Sequence, residues 1–161
     1  MERFTIQKND FLSHDCTGYF HLYYVGYGQP GNPDYLNTLK NIFVSTHPDT
    51  LRAASRQAAA LMIQDIPQVM DAEGLDTAIL MAVPRSKSGM CNWQLGFKAA
   101  VRTTVKALQA DGLSVIDGTD FIFRHTSTKM THLRKPVSNF ENTGSEPYPG
   151  ITKDTCDIQN E

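Results

Sequence analysis

Apolar and polar positions follow three different rhythms along this chain. Tyr19-Phe20-His21-Leu22-Tyr23-Tyr24-Val25 is a run of aromatic and branched residues, which predicts a strand. It runs into Gly26-Tyr27-Gly28-Gln29-Pro30-Gly31-Asn32-Pro33, where glycine and proline predict a loop. A short helix is expected over Tyr35 to Phe43. From Leu51 the period becomes helical, with Leu51, Ala54, Ala58, Leu61, Met62 and Asp65 at three- and four-residue steps. Thr46-His47-Pro48-Asp49 opens this stretch with a capping residue, an early proline and an acid suited to the helix dipole. Pro67 is expected to bend or divide the helix, which ends there or at Gly74.

Thr77-Ala78-Ile79-Leu80-Met81-Ala82-Val83 is a continuous apolar run and predicts a fully buried strand of a parallel sheet. A loop over Pro84 to Asn92 leads into a second helix, Trp93 to Ala110, stopped by Asp111-Gly112. Leu113–Ile116 and Phe121–Phe123 read as strands. Beyond Lys135 no apolar run exceeds two residues.

This order predicts an α/β fold with a right-handed crossover. Residues 1–135 are expected to form a single domain, with an aromatic-rich N-terminal cap over 1–47 and an α/β core over 48–135. Residues 136–161 are expected to be a loop or tail. A length of 161 residues suits one domain with its own core. The net charge of -2 argues against a dedicated nucleic-acid coat. Cys16, Cys91 and Cys156 are widely spaced and odd in number, which predicts free thiols rather than a zinc cage or disulfide framework. The N-terminus lacks the apolar stretch of a signal peptide, and no run approaches the ~18 residues of a membrane span. A cytoplasmic protein without membrane contact is expected.

Chemistry concentrates in two segments. Val83-Pro84-Arg85-Ser86-Lys87-Ser88-Gly89 follows the predicted buried strand and precedes a helix, where open α/β sheets place their ligands. Arg85 supplies a donor fork, Lys87 a point charge, Ser86 and Ser88 hydroxyls, and Gly89 a permissive backbone. Together they predict a phosphate site. It is not a Walker A loop, because GxxxxGK[ST] is absent. The second segment, Phe121 to Lys135, packs Arg124, His125, Lys129, His132, Arg134 and Lys135 among four hydroxyls. Residues 85–135 hold nine of the fifteen Lys and Arg (85, 87, 98, 102, 106, 124, 129, 134, 135) against three acids (111, 117, 120). That field suits a phosphate-bearing ligand or a nucleic-acid strand. No metal-ligand spacing occurs among the histidines. Asp117 and Asp120 offer groups for a metal or a ribose, but a turn role is expected of Asp117-Gly118.

The ordered set of apolar strand (78–83), short loop (84–89), helix (94–108) and hydroxyl-rich segment with an arginine (124–135) resembles the type I phosphoribosyltransferases. Within them it resembles the ComF-like and amidophosphoribosyltransferase-like group. The resemblance covers roughly residues 77–135. It implies a parallel-sheet, Rossmann-like core, a loop at Arg85, Ser86, Lys87, Ser88 and Gly89 that holds pyrophosphate, and Arg124 and Lys129 closing over the reacting centre. It also implies phosphoribosyl pyrophosphate (PRPP) as ligand, with Mg²⁺, and phosphoribosyl transfer to or from a nitrogen nucleophile. That family's apolar strand ending in two adjacent acids is absent, for no two acidic residues are adjacent in this chain. The motif is expected after Ile158. The chain therefore reads either as the N-terminal portion of a longer enzyme or as a shortened relative, active only with acids supplied elsewhere. A second reading stays open: a non-catalytic module whose basic 85–135 surface binds nucleic acid, a nucleotide or a protein partner, such as a bacterial defence or toxin component. Homo-oligomerisation also stays open.

Overall fold

A computed structural model of the chain describes residues 1–8, 12–23, 25, 30–40, 47–85, 88, 95–127 and 156–158. Within them the fold is mixed α/β, with three helices and three two-stranded sheets. Strands β1 (Glu2–Ile6) and β2 (Cys16–Phe20) pair antiparallel, Phe4 opposite Gly18. The Phe4 ring lies over Gly18, where a Cβ would overlap it. The predicted strand over 19–25 thus begins earlier and ends at Phe20. Its partner β1 was missed, because Glu2-Arg3-Phe4-Thr5-Ile6 mixes two charges into five residues.

Helix α1 (Asp34–Lys40) starts after Pro33, whose carbonyl accepts from the amides of Leu36 and Asn37. Helix α2 (Pro48–Glu73) starts at His47, whose Nδ1 accepts from the Asp49 amide at 3.2 Å. It runs unbroken through Pro67. Gly74 ends it in the left-handed region (φ 62°), where the Gly74 amide donates to Asp71 O and the Leu75 amide to Met70 O. Helix α3 (Gly96–Ala110) is followed by the same device at Gly112 (φ 86°).

β3 (Ala78–Leu80) and β4 (Val115–Asp117) form a parallel pair joined through α3, with Ala78 opposite Val115 and Leu80 opposite Asp117. Two apolar clusters hold the helices to this pair. Leu39 of α1 packs with Ala54, Ala58, Ala59 and Ala100, where small side chains let α2 and α3 approach closely. Met70, Val101, Val105, Leu108 and Val115 pack with Ala78, Leu80 and Ala82 below the sheet.

One expectation needs correction here. The 77–83 run is not buried on both faces: Ile79, Met81, Val83 and, on β4, Ile116 are all substantially exposed, Val83 to 79%. The strand alternation is the reason, since α2 and α3 cover only the face carrying Ala78, Leu80 and Ala82. A second correction concerns the expected tail. Cys156–Ile158 forms β6, antiparallel to β5 (Ile122–Arg124), with Arg124 opposite Cys156. Three residues, of which only Cys156 is buried, are too short a signal for periodicity to find. Among the described residues, Cys16 and Cys156 are in no disulfide, and no helix is long and apolar enough to cross a membrane.

Candidate functional site

Parallel strands expose their carboxyl ends on one edge, and here the chain leaves β3 through Met81 to Arg85 and leaves β4 through Gly118 to Phe121. The Gly118 amide extends the ladder by donating to Leu80 O at 3.0 Å. The first turn of α3 stands beside the β3 exit, and residues 82–85 and 95–98 line a shallow, mostly apolar cleft between them. Leu95 gives this helix no side-chain cap, and its first turn carries no acid. Its amides therefore present the positive end of the helix dipole to the cleft.

Three of the predicted site residues fall within the described structure. Arg85 is half-buried, and burial pulls its guanidinium below the usual arginine range. Nη1 donates to Leu39 O at 2.8 Å and Nη2 to Lys40 O at 2.9 Å, the final two carbonyls of α1. The backbone oxygen of Arg85 accepts from Nε of Arg124. Ser88 reaches the same neighbourhood: its amide donates to Ser127 Oγ at 3.0 Å, and the two hydroxyls lie 3.0 Å apart. The two segments singled out in the sequence, 39 residues apart at these contacts, therefore meet. Ser86, Lys87, Gly89 and Lys129 lie outside the described residues.

The β4 exit carries a network that the sequence did not reveal as a unit. Asp120 bridges two cations of α3, with Lys98 Nζ at 3.1 Å and Arg102 Nη2 at 2.7 Å. Nε of Arg102 donates to Oγ1 of the buried Thr119 at 3.0 Å and lies 3.7 Å from Asp117 Oδ2. Asp117 Oδ1 accepts from the Thr119 amide at 2.9 Å, the turn role expected of it. The hydrogen bond from Lys98 leads in holding the Asp120 carboxyl below its usual value, and Arg102 adds to it. The available signal was spacing: Lys98 and Arg102 are four apart and share a helix face.

Two further residues set the geometry without having been singled out. Gly96 opens α3 where a Cβ would overlap Leu39 Cδ2 and come within 3.2 Å of Ser55 Oγ. The Ser55 hydroxyl lies 2.8 Å from Leu51 O and 3.0 Å from Gly96 O, so one proton serves both carbonyls. Leu39 is wholly buried. Among the described residues, no group of three or more His, Cys, Asp or Glu side chains is placed to hold a metal ion. Among the described residues the side chains do not fit a resident Mg²⁺, since Asp117 and Asp120 already serve a backbone amide and two cations. No protein-family model, curated protein or solved structure matches the chain.

Proposed function

We propose that this chain binds a pyrophosphate-bearing small molecule of the PRPP class at the carboxyl edge of the β3–β4 pair, as a phosphoribosyltransferase-like protein. The carrying observation is the convergence of the β3 exit with the end of β5 and the segment after it, through Arg124 with Arg85 O and Ser88 with Ser127, beside the uncapped start of α3. An anion there is stabilised by the first-turn amides of α3, the loop amides and the loop cations. In this reading β3, α3 and β4 are one βαβ unit of a Rossmann-like parallel sheet.

The reaction supported is displacement at C1 of a ribosyl 5-phosphate. A nitrogen nucleophile forms the new C1–N bond, and the C1–O bond breaks with its electron pair leaving on pyrophosphate. The nitrogen then loses a proton to solvent or a base. In this reading the resemblance assigns Lys87 to neutralising the leaving group, and Arg124 and Lys129 to closing over the reacting centre and excluding water. Transfer requires ribose-binding acids from outside this chain; binding does not. Mg²⁺ belongs in this reading with the ligand oxygens, and no step above is assigned to it.

A nucleic-acid surface draws less support. Arg85 and Arg124 donate to backbone carbonyls, and Lys98 and Arg102 are paired with Asp120, so four of the nine cations are turned to internal partners. The test is calorimetric titration of pyrophosphate, and of PRPP with Mg²⁺, into the wild type and Lys87→Ala. The expected result is saturable binding, weakened about tenfold in the variant, roughly 1.4 kcal/mol. A single-stranded oligonucleotide should give no comparable saturation. Absence of binding by both phosphates, or equal affinity in the variant, contradicts the assignment.

A further inference from the structure

Leu39, in the last turn of α1, touches both halves of the proposed anion cradle. Its carbonyl, with that of Lys40, accepts the guanidinium of Arg85 from the β3 exit. Its side chain, buried completely, fills the space that a Cβ on Gly96 would need at the start of α3. The β3 exit and the α3 N-terminus are thus each held against the same turn of a third helix.

We infer that Arg85 is a positioning residue: through the end of α1 it sets the spacing between the β3 exit loop and the α3 N-terminus, so that anion binding and α1 docking are coupled. The inference rests on the reading of that edge as a pyrophosphate site and adds how the site is held and regulated.

The chemistry favours this role over a direct fork on the ligand. The last carbonyls of a helix have no partner within it, and they carry the negative end of its dipole. A guanidinium meets both needs with two parallel donors, at 2.8 and 2.9 Å, and stays charged even half-buried. A lysine in its place keeps the charge but lacks the planar fork, and so cannot hold both carbonyls in that geometry. The same residue's carbonyl takes Nε of Arg124, so a shift of α1 is passed on to the end of β5 as well. By thermodynamic linkage, a ligand that tightens the cradle tightens the docking of α1 by the same factor.

Arg85→Lys and Arg85→Gln separate the two roles. Pyrophosphate affinity is measured by calorimetry, and amide hydrogen exchange is followed over residues 36–40 with and without pyrophosphate. A positioning role predicts that both variants lose affinity alike, about tenfold. It further predicts faster exchange at the end of α1 in both, and a slowing by pyrophosphate that occurs in the wild type alone. Arg85→Lys binding nearly as well as wild type while Arg85→Gln does not would assign Arg85 to the ligand and overturn the inference. Unchanged exchange over 36–40 in Arg85→Gln would overturn it too. Should the wild type bind no pyrophosphate, the functional reading falls; faster exchange in the variants then still upholds the tie between α1 and the β3 exit, and unchanged exchange removes it.

Discussion

Two glycines show how differently one added methyl group is received. At Gly96 a Cβ meets Leu39, which is wholly buried and has no free space to turn into. At Gly118 the distances are as short, 2.6 Å to Met81 Cγ and 2.7 Å to Ile79 Cγ2, but both side chains are 50% exposed and can swing outward. Overpacking in a core costs about 1–3 kcal/mol. Gly96→Ala should therefore lose stability in that range by urea denaturation, and Gly118→Ala under about 1 kcal/mol. Equal losses would mean that the Leu39 contact is softer than its burial implies. The Gly96 effect should also reach the site, because the same overlap pushes α3 away from α1.

Among elements, α2 and the α3–β4 junction make separate predictions. Pro67 sits inside α2 without an amide to donate to Ile63 O, and proline in a helix interior costs about 3 kcal/mol. Pro67→Ala should raise the unfolding free energy from urea denaturation by about 1–3 kcal/mol, and a fall would mean that the proline shapes a bend the packing needs. At the junction, Asp120 has a folded-state pKa below its ordinary 3.8, chiefly through the Lys98 hydrogen bond. A depressed carboxylate contributes stability above its unfolded pKa and loses it as pH falls through the folded value. Asp120→Asn should thus be less stable than wild type at pH 5, by a small amount given 68% side-chain exposure, and the gap should close below pH 3.8. A constant gap across that range would locate the effect elsewhere. These elements also mark what the sequence could disclose. Helix periodicity and the apolar 77–83 run located α2, β3, α3 and β4 nearly in place, because each buries a face and burial leaves a period. Of the two ends the sequence left open for α2, Gly74 is the one observed, and Pro67 does not divide the helix, since the packing of α2 against α3 overrides one lost hydrogen bond. The acid–base network at the β4 exit and the fork of Arg85 on α1 were not legible, because they join residues 15 to 46 positions apart with no period.

For the whole molecule, the parallel pair fixes where chemistry can sit, and its two exits meet the start of α3 on one edge. The opposite face of that pair, with Ile79, Met81, Val83 and Ile116, lies open. Of the five described cations in the basic half predicted from composition, Arg85 caps a helix, Arg124 ties the β3 exit to β5, Lys98 and Arg102 bridge to Asp120, and Lys106 is exposed. The functional reading depends on the edge between β3, α3 and the segment after β5 being a pyrophosphate site. A backbone amide NMR titration with inorganic pyrophosphate tests that most directly. Saturable shifts confined to residues 82–88, 95–98 and 124–127, with weaker ones at 36–40, are the predicted result. Shifts scattered over the lysine-bearing surface, or none at millimolar pyrophosphate, would contradict it.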